Sequence, residues 1–204
     1  MIKTLDLEKF KHIDITQRDN ELFQSKECFP SSAAIAIDFL NGNTSDSPNT
    51  ANWIVNYSLN LSDAEKLKLM SQNNGLKWID KDTCVWNSDN TFKPFQCIPI
   101  MEYICRFVYP KVYQAWRIQY SDIIDSIDRG IPVVCLGNFS PISYVGGHYG
   151  CIVGYNTDKN TVIDIDPWGN GHTNYSDQNG FAIEYDWNIF IREQNLYSYG
   201  LWFK

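Results

Sequence analysis

The chain has 204 residues, with 17 Lys and Arg against 24 Asp and Glu, a net charge of −7 and 44% hydrophobic residues. This length favours a single domain over residues 1–204 that is large enough to bury a core of its own. The hydrophobic fraction excludes global disorder. The acidic balance argues against nucleic acid and against an anionic membrane surface as partners.

Neither an export signal nor a membrane span is recognisable in the sequence. Residues 1–17 alternate charged and single apolar residues, and no segment approaches the ~20 apolar residues that a transmembrane helix needs. We therefore expect a cytoplasmic protein, or one that is released by a non-classical or phage route. We also expect reduced thiols, because a chain of this length without an export signal does not need disulfides. The six cysteines contain no C-x-x-C pair, which argues against a zinc ribbon or a thioredoxin-type motif. They are Cys28, Cys84, Cys97, Cys105, Cys135 and Cys151.

The first half of the chain has helical patterns. Ser31–Asn41 has almost no polar face, which is typical of a buried helix, and Gly42 suits the left-handed position after its end. Residues 77–97 read as an irregular loop. The other predicted helices are Asn49–Leu59, Ser62–Asn74 with a capping box, Ile98–Val108 and Asp122–Arg129.

The second half changes to short segments rich in Val, Ile, Tyr and Phe that are separated by turn residues, which is typical of strands. The predicted strands are Pro132–Leu136, His148–Tyr155, Thr161–Asp166, Phe181–Trp187 and Tyr197–Phe203, and Phe10–Thr16 is a candidate edge strand. Helices followed by antiparallel strands predict an α+β fold.

A histidine and an aspartate occupy neighbouring predicted strands. His148 follows Gly147 and opens one strand, and Asp166 ends the next. If the two strands form a hairpin with an even pairing sum, both side chains share a face, roughly 4.5–8 Å apart at Cβ. A carboxylate at that distance can hold an imidazole in one tautomer. Asp164 has the same parity but lies one pair further away, so we expect Asp166 to orient His148.

One of the six cysteines stands out by its position. Cys28 directly precedes the buried helix, where the positive end of the helix dipole favours a thiolate, and a neighbouring imidazolium would favour it further. A nucleophilic cysteine needs such a position. The residues alone leave two interpretations of equal weight: a Cys-His-Asp triad, or three unrelated structural residues.

Four blocks of the sequence resemble the papain-fold cysteine peptidases. They are most similar to the bacteriocin-processing, double-glycine type and its relatives in bacteria and phages. The resemblance covers the N-terminal quarter and residues from about 130 to 190, but not 43–120. It implies a papain-like α+β fold in which the helix carrying the cysteine packs on the C-terminal antiparallel sheet. The blocks are Thr16–Asn20, Cys28–Ala34, Gly147–Asn156 and Asp166–Gly169.

The resemblance also implies roles for individual residues. It makes Cys28 the nucleophile, His148 the general base and Asp166 the orienting residue. Gln17 matches the amide that donates to the oxyanion, with Gln24 as the alternative because it is closer to the cysteine in sequence.

Further residues are candidates for lining a peptide cleft, namely Gly147, Tyr149 and Trp168. Phe29 stands where relatives often have a small residue. We expect no cofactor, and no metal either, because the spacing of His172, Asp166 and Asp177 fits no standard ligand pattern.

These residues together predict a thiol hydrolase that cleaves a peptide or amide bond. A protein, a leader peptide or a peptidoglycan peptide could be its substrate. Two alternatives remain: an acyl or amide transferase on the same fold, and a catalytically silent papain-like binding module. The sequence does not specify an oligomeric state.

Overall fold

The computed structural model describes residues 1–13, 16–42, 47–86, 91–137, 147–191 and 198–204. The helices are α1 Leu7–Phe10, α2 Cys28–Asn41, α3 Ser47–Leu59, α4 Asp63–Gln72, α5 Ile98–Cys105, α6 Tyr120–Asp128 and α7 Trp187–Phe190. The strands are β1 Ile2–Thr4, β2 Leu76–Asp80, β3 Thr83–Trp86, β4 Thr91–Phe92, β5 Val112–Ile118, β6 Val133–Gly137, β7 His148–Asn156, β8 Thr161–Ile165, β9 Ile183–Asp186 and β10 Ser198–Phe203. Helices and an antiparallel sheet confirm the predicted α+β class.

The larger sheet has the strand order β5-β10-β6-β7-β8-β9. Its longest strand, β7, pairs with β8 on one side. On its other side it pairs first with β6 and then, towards its end, with β1. A smaller sheet of β2, β3 and β4 comes from the middle of the chain. The strand β7 therefore lies at the centre of the larger sheet, with the predicted histidine at its first position.

Helix α2 packs on β7. Its residues from Phe29 to Asp38 are all buried. Gly42, which follows its last residue and caps it, has a φ of 70° that suits glycine. The Ser32 hydroxyl donates to the Tyr149 carbonyl at 3.0 Å and so joins helix and strand. The helix begins at Cys28, three residues before the predicted start, because Pro30 is tolerated in a first turn.

A β-bulge sets which side chains of the β7–β8 hairpin share a face. Ile152 pairs with Asp164 and Gly154 pairs with Ile163, so Val153 has no partner on β8. Without this extra residue the register would move by one and turn every later side chain of β7 to the opposite face.

The strands in the middle of the chain were not predicted from the sequence. The segment 77–97 is not an irregular loop: it contains β2, β3, β4 and a 3₁₀ turn at Pro94–Gln96, while 87–90 lie outside the described residues. Its strands are short, and several of their residues are polar and partly exposed, so the sequence lacks a clear apolar alternation. The edge strand β5 was not predicted, and it is interrupted by Arg117 with a φ of 59°.

The candidate strand Phe10–Thr16 is also wrong where the structure describes it. Phe10 ends α1, residues 11–13 form a turn and bend, and 14–15 lie outside the described residues. Phe10 is fully buried and stacks on Phe39 of α2 at 4.2 Å, so a core contact takes precedence over strand propensity. The N-terminal strand that joins the sheet is β1, which pairs with β7.

The remaining boundaries differ by a few residues. Helix α5 ends at Cys105 instead of Val108, and α7 starts at Trp187 because the Asp186 carboxylate caps it. Tyr197, the predicted start of the last strand, lies outside the described residues. Among the helices that the structure describes, none combines the length and the apolar character that crossing a bilayer requires.

Candidate active site

The two reactive side chains of the predicted triad come from the packed pair α2 and β7. Cys28 is the first residue of α2 and is partly exposed. His148 is the first residue of β7, and its side chain is 12% exposed. Both side chains line the same cavity, and the Cys28 side chain acts to raise the pKa of the imidazole. The packing of α2 on β7 therefore brings a thiol and an imidazole together at one end of both elements.

Asp166 follows the last residue of β8 and contacts the other side of the imidazole. Its Oδ1 lies 2.7 Å from His148 Nε2, and its side chain is fully buried. The carboxylate also accepts the Trp168 N–H at 2.9 Å on Oδ1 and the Tyr185 hydroxyl at 3.2 Å on Oδ2. In turn, the Gly171 N–H donates to the Tyr185 hydroxyl at 2.9 Å. The carboxylate is thus held in one orientation by several donors.

The electrostatics of this group favour a charged imidazole. Burial acts to lower the pKa of His148, but Asp166 and Cys28 together outweigh it and raise the pKa well above its ordinary value. An imidazolium at this position stabilises a neighbouring thiolate.

A second carboxyl, that of Asp164, lies behind the first. It is fully buried, and neither of its oxygens makes a well-formed hydrogen bond to any residue in the described ranges. It packs over Gly150, where a Cβ would come within 2.4 Å of both oxygens. Burial raises the pKa of Asp164 well above its usual range, Asp166 adds to the rise, and His148 opposes it. Burial therefore favours the neutral form of the Asp164 carboxyl group.

The two glutamines considered for the oxyanion have different surroundings. Gln17 is 2% exposed and lines the cavity beside Cys28. One hydrogen of its Nε2 is donated to the Gln24 carbonyl, which leaves the second amide hydrogen available. The Gln24 side chain is exposed, and it is not among the residues that line this cavity.

The segment that carries Gln17 is fastened to the turn after Asp166. The Gln17 N–H donates to the Pro167 carbonyl at 2.9 Å. Arg18 donates from Nε and Nη2 to the Trp168 carbonyl at 3.1 and 2.9 Å, and its guanidinium lies 4.1 Å from the Trp168 ring centroid. These contacts fix the amide of Gln17 relative to Asp166.

Two adjoining cavities of about 240 Å³ each form a cleft over Cys28. Both are lined by Lys26, Cys28, Gln96 and Gly147. The one we call the polar lobe is lined in addition by Gln17, Ser25, His148, Trp168 and Tyr175. The other, the apolar lobe, is lined in addition by Phe29, Phe92, Leu136 and Tyr149.

The predicted cleft residues all border this cleft. Gly147 lines both lobes, Trp168 lines the polar lobe and Tyr149 the apolar lobe. Phe29, which follows the cysteine, is buried, and its ring stacks on Tyr149 at 3.9 Å with the ring planes 5° apart. The large residue after the cysteine therefore does not block the thiol; it packs against the residue after the histidine.

Several residues in the cleft or next to it were not predicted from the sequence. Tyr185 of β9 pairs with Val162 of β8, so a prediction of the strand pairing could have indicated its position. No sequence signal pointed to Tyr175. Its left-handed φ of 63° turns the ring against His148 at 5.8 Å, and its hydroxyl is buried with no hydrogen-bond partner in the described ranges. Phe92 and Gln96 come from 43–120, where the sequence alone revealed no resemblance.

His172, which belonged to the metal pattern considered in the sequence, is not among the residues that line the cleft. His172 Nε2 is 2.7 Å from the Glu184 carbonyl. In the part of the chain that the structure describes, no group of three or more His, Cys, Asp or Glu side chains could hold a metal ion.

Comparison with known proteins identifies the family of the chain. The model of the Peptidase_C39 like family matches residues 12–194. The chain is also similar to the crystal structure of a proposed C39-like peptidase from Bacillus anthracis, with a TM-score of 0.52, 13% identity and coverage of 99% of both chains. That similarity shows a shared fold. No curated protein matches the chain significantly.

Proposed function

Because the chain belongs to the Peptidase_C39 like family, we propose that it is a cysteine peptidase whose catalytic residues are Cys28, His148 and Asp166. The observation that carries this proposal is that Cys28 and His148 line one open cleft, where the imidazole is held by Asp166 at 2.7 Å and its pKa responds to Cys28. A papain-like binding module would not require these three side chains to be joined.

The first half of the reaction forms an acyl-enzyme. The Cys28 thiolate attacks the carbonyl carbon of a peptide bond, and the negative charge moves to the carbonyl oxygen. The second Nε2 hydrogen of Gln17 and the Cys28 backbone N–H donate to this oxyanion. The C–N bond breaks as the imidazolium of His148 gives its proton to the departing amine.

The second half releases the acyl group. Neutral His148 removes a proton from a water molecule, the resulting hydroxide attacks the thioester carbonyl, and the C–S bond breaks to regenerate the thiolate and the imidazolium. Asp166 accepts a hydrogen bond from Nε2 throughout, so Nδ1 remains directed at the thiol. Tyr185 and the Trp168 N–H hold Asp166 for this task.

The proposal is tested by the reactivity of the thiols. Intact protein is treated with iodoacetamide near pH 6, and the labelled cysteine is identified by peptide mass spectrometry. We expect Cys28 to react first, and His148→Ala to slow its labelling at least ~10-fold. His12→Ala, which changes an exposed histidine, is the matched control and should leave the rate unchanged. Cys28→Ser should abolish hydrolysis and retain the folded circular dichroism spectrum.

Two outcomes would contradict the proposal. If Cys28 labels no faster than the buried cysteines and His148→Ala changes nothing, the chain is better described as a binding module. If the acyl group is transferred to added amines in preference to water, the protein is a transferase that uses the same residues.

A further inference from the structure

The direction in which a substrate lies in the cleft follows from the proton donor. This step rests on the proposed function. The departing amine must be next to His148, which lines the polar lobe and not the apolar lobe. The part of the substrate after the scissile bond therefore occupies the polar lobe, and the part before it, the acyl side, occupies the apolar lobe.

The apolar lobe has the composition of a side-chain pocket. Leu136 and Phe92 are partly exposed in its walls, and the stacked Phe29 and Tyr149 rings close it. Lys26, at the rim that both lobes share, is the charged residue among its described lining, and no carboxylate is present there. A charged or polar side chain would lose its hydration in this lobe without gaining a partner deep inside it.

The size of the lobe also restricts its occupant. A dry apolar cavity of about 150 Å³ holds a benzene molecule in an engineered protein. The apolar lobe, at about 240 Å³, is therefore large enough for an aromatic or branched aliphatic side chain. A glycine would leave these four apolar residues uncovered by the substrate.

We propose that the apolar lobe is a specificity pocket for a large apolar side chain on the acyl side of the scissile bond. Phe92 is the residue on which this selection depends most. It comes from β4, where it pairs with Cys84, and the adjoining Lys93 forms an ion pair with Asp82 at 2.8 Å. The small sheet thus places Phe92 in the wall of the cleft.

The test compares two thiol-directed peptidyl acyloxymethyl ketones that differ in one residue. One has Leu and the other Gly at the same acyl-side position, and each of the two positions before the reactive group is examined in turn. The second-order rate of Cys28 modification is followed by intact-mass spectrometry. At one position we expect the Leu probe to react at least ~10-fold faster than the Gly probe, since burial of a side chain in an apolar pocket gives discrimination of this order.

Variants locate this preference in the apolar lobe. Phe92→Ala should reduce the Leu-to-Gly rate ratio to within ~3-fold of unity, and Leu136→Ala provides the same test if Phe92→Ala does not fold. Phe107→Ala is the matched control, because this phenylalanine is 54% exposed and does not line the cleft. It should leave the ratio unchanged.

The possible failures are distinguishable. Equal rates for both probes, a faster Gly probe, or an unchanged ratio in both Phe92→Ala and Leu136→Ala would overturn the specificity pocket while Cys28 remains a nucleophile. Labelling by iodoacetamide but by neither peptidyl probe would overturn it as well. If Cys28 reacts selectively with none of these reagents, the proposed function fails and the pocket fails with it.

Discussion

Two carboxyl groups, two residues apart on one face of the sheet, have different surroundings in this site. Asp166 is surrounded by donors from His148, Trp168 and Tyr185. Asp164 is buried without a well-formed hydrogen bond in the described ranges, and burial raises its pKa. Donor placement, and not sequence distance alone, decides which of the two orients the imidazole.

Replacing each carboxyl by its amide separates the two roles. Asp166→Asn should lower turnover by ~10²-fold or more, because the amide cannot fix the same tautomer and does not stabilise an imidazolium. Asp164→Asn should change turnover by less than ~3-fold. The measurement is kcat on a peptide that the wild type cleaves. Equal losses in the two variants would show that both carboxyls act on His148.

Asp164 should also make the stability of the protein depend on pH. Its folded pKa is raised above the unfolded value of about 3.9, so the folded state retains a proton that the unfolded state releases. The free energy of unfolding should therefore fall as pH rises from about 4 towards the folded pKa, by up to ~1.4 kcal/mol per pH unit from this group. The contribution is fully present only below the unfolded pKa.

Urea unfolding of the wild type and of Asp164→Asn across this pH range measures that contribution. Groups that do not interact with Asp164 titrate equally in both proteins, so the difference between their slopes belongs to Asp164 and to its coupling with Asp166 and His148. Parallel curves would mean that Asp164 is ionised in the folded protein.

The sequence could predict the candidate site only where the residues have local signals. Cys28 precedes an apolar helix, and His148 and Asp166 occupy predicted neighbouring strands. The left-handed backbone that turns Tyr175 into the cleft has no such signal, because it depends on the fold of the 169–180 loop. The same is true of Phe92, which reaches the cleft through the small sheet.

At the scale of elements, the alignment of α2 with β7 sets the distance between thiol and imidazole. The residues after each reactive side chain, Phe29 and Tyr149, stack on one another. Ser32 adds a hydrogen bond from the helix to the strand. On the His148 side of the bulge at Val153, even-numbered residues of β7 pair with even-numbered residues of β8, as Ile152 does with Asp164. Helix, strand and bulge together therefore determine the site geometry.

A double-mutant cycle tests whether the aromatic pair positions the site. Phe29→Leu and Tyr149→Leu should show a coupling free energy of about 0.5–1.5 kcal/mol in urea unfolding. Both single variants should also slow Cys28 labelling. Phe10 and Phe39 form the matched control. Their ring centroids lie 4.2 Å apart, and neither residue lines the cleft. Replacing either phenylalanine should lower the free energy of unfolding without slowing Cys28 labelling.

Equal slowing of Cys28 labelling by the Phe10→Leu control would assign the effect to general destabilisation. Fast labelling in Phe29→Leu together with a normal coupling energy would mean that the Ser32 contact suffices to align helix and strand.

At the scale of the molecule, the sequence predicted the class and the order of the main elements because their patterns are strong. Ser31–Asn41 has almost no polar face, and the C-terminal strands are rich in β-branched and aromatic residues. The small sheet and β5 were missed because short edge strands with polar, partly exposed residues lack alternation. The pairing of β1 with β7 joins distant parts of the chain, which no local pattern can indicate.

This topology predicts an order of local stability. Cys151–Tyr155 of β7 lies between strands on both sides and is buried, so its amides should exchange with solvent only when the whole protein unfolds. In contrast, β9 in the larger sheet and β4 in the smaller one each have one neighbouring strand among the described residues, and their amides should exchange through local opening. Native-state hydrogen exchange read by NMR measures both. The free energy of exchange in β7 should equal that of urea unfolding to within ~1 kcal/mol, and in β4 it should be several kcal/mol lower. Comparable values in β4 and β7 would show that the small sheet and the central strand unfold together, and that Phe92 belongs to the most stable part of the fold.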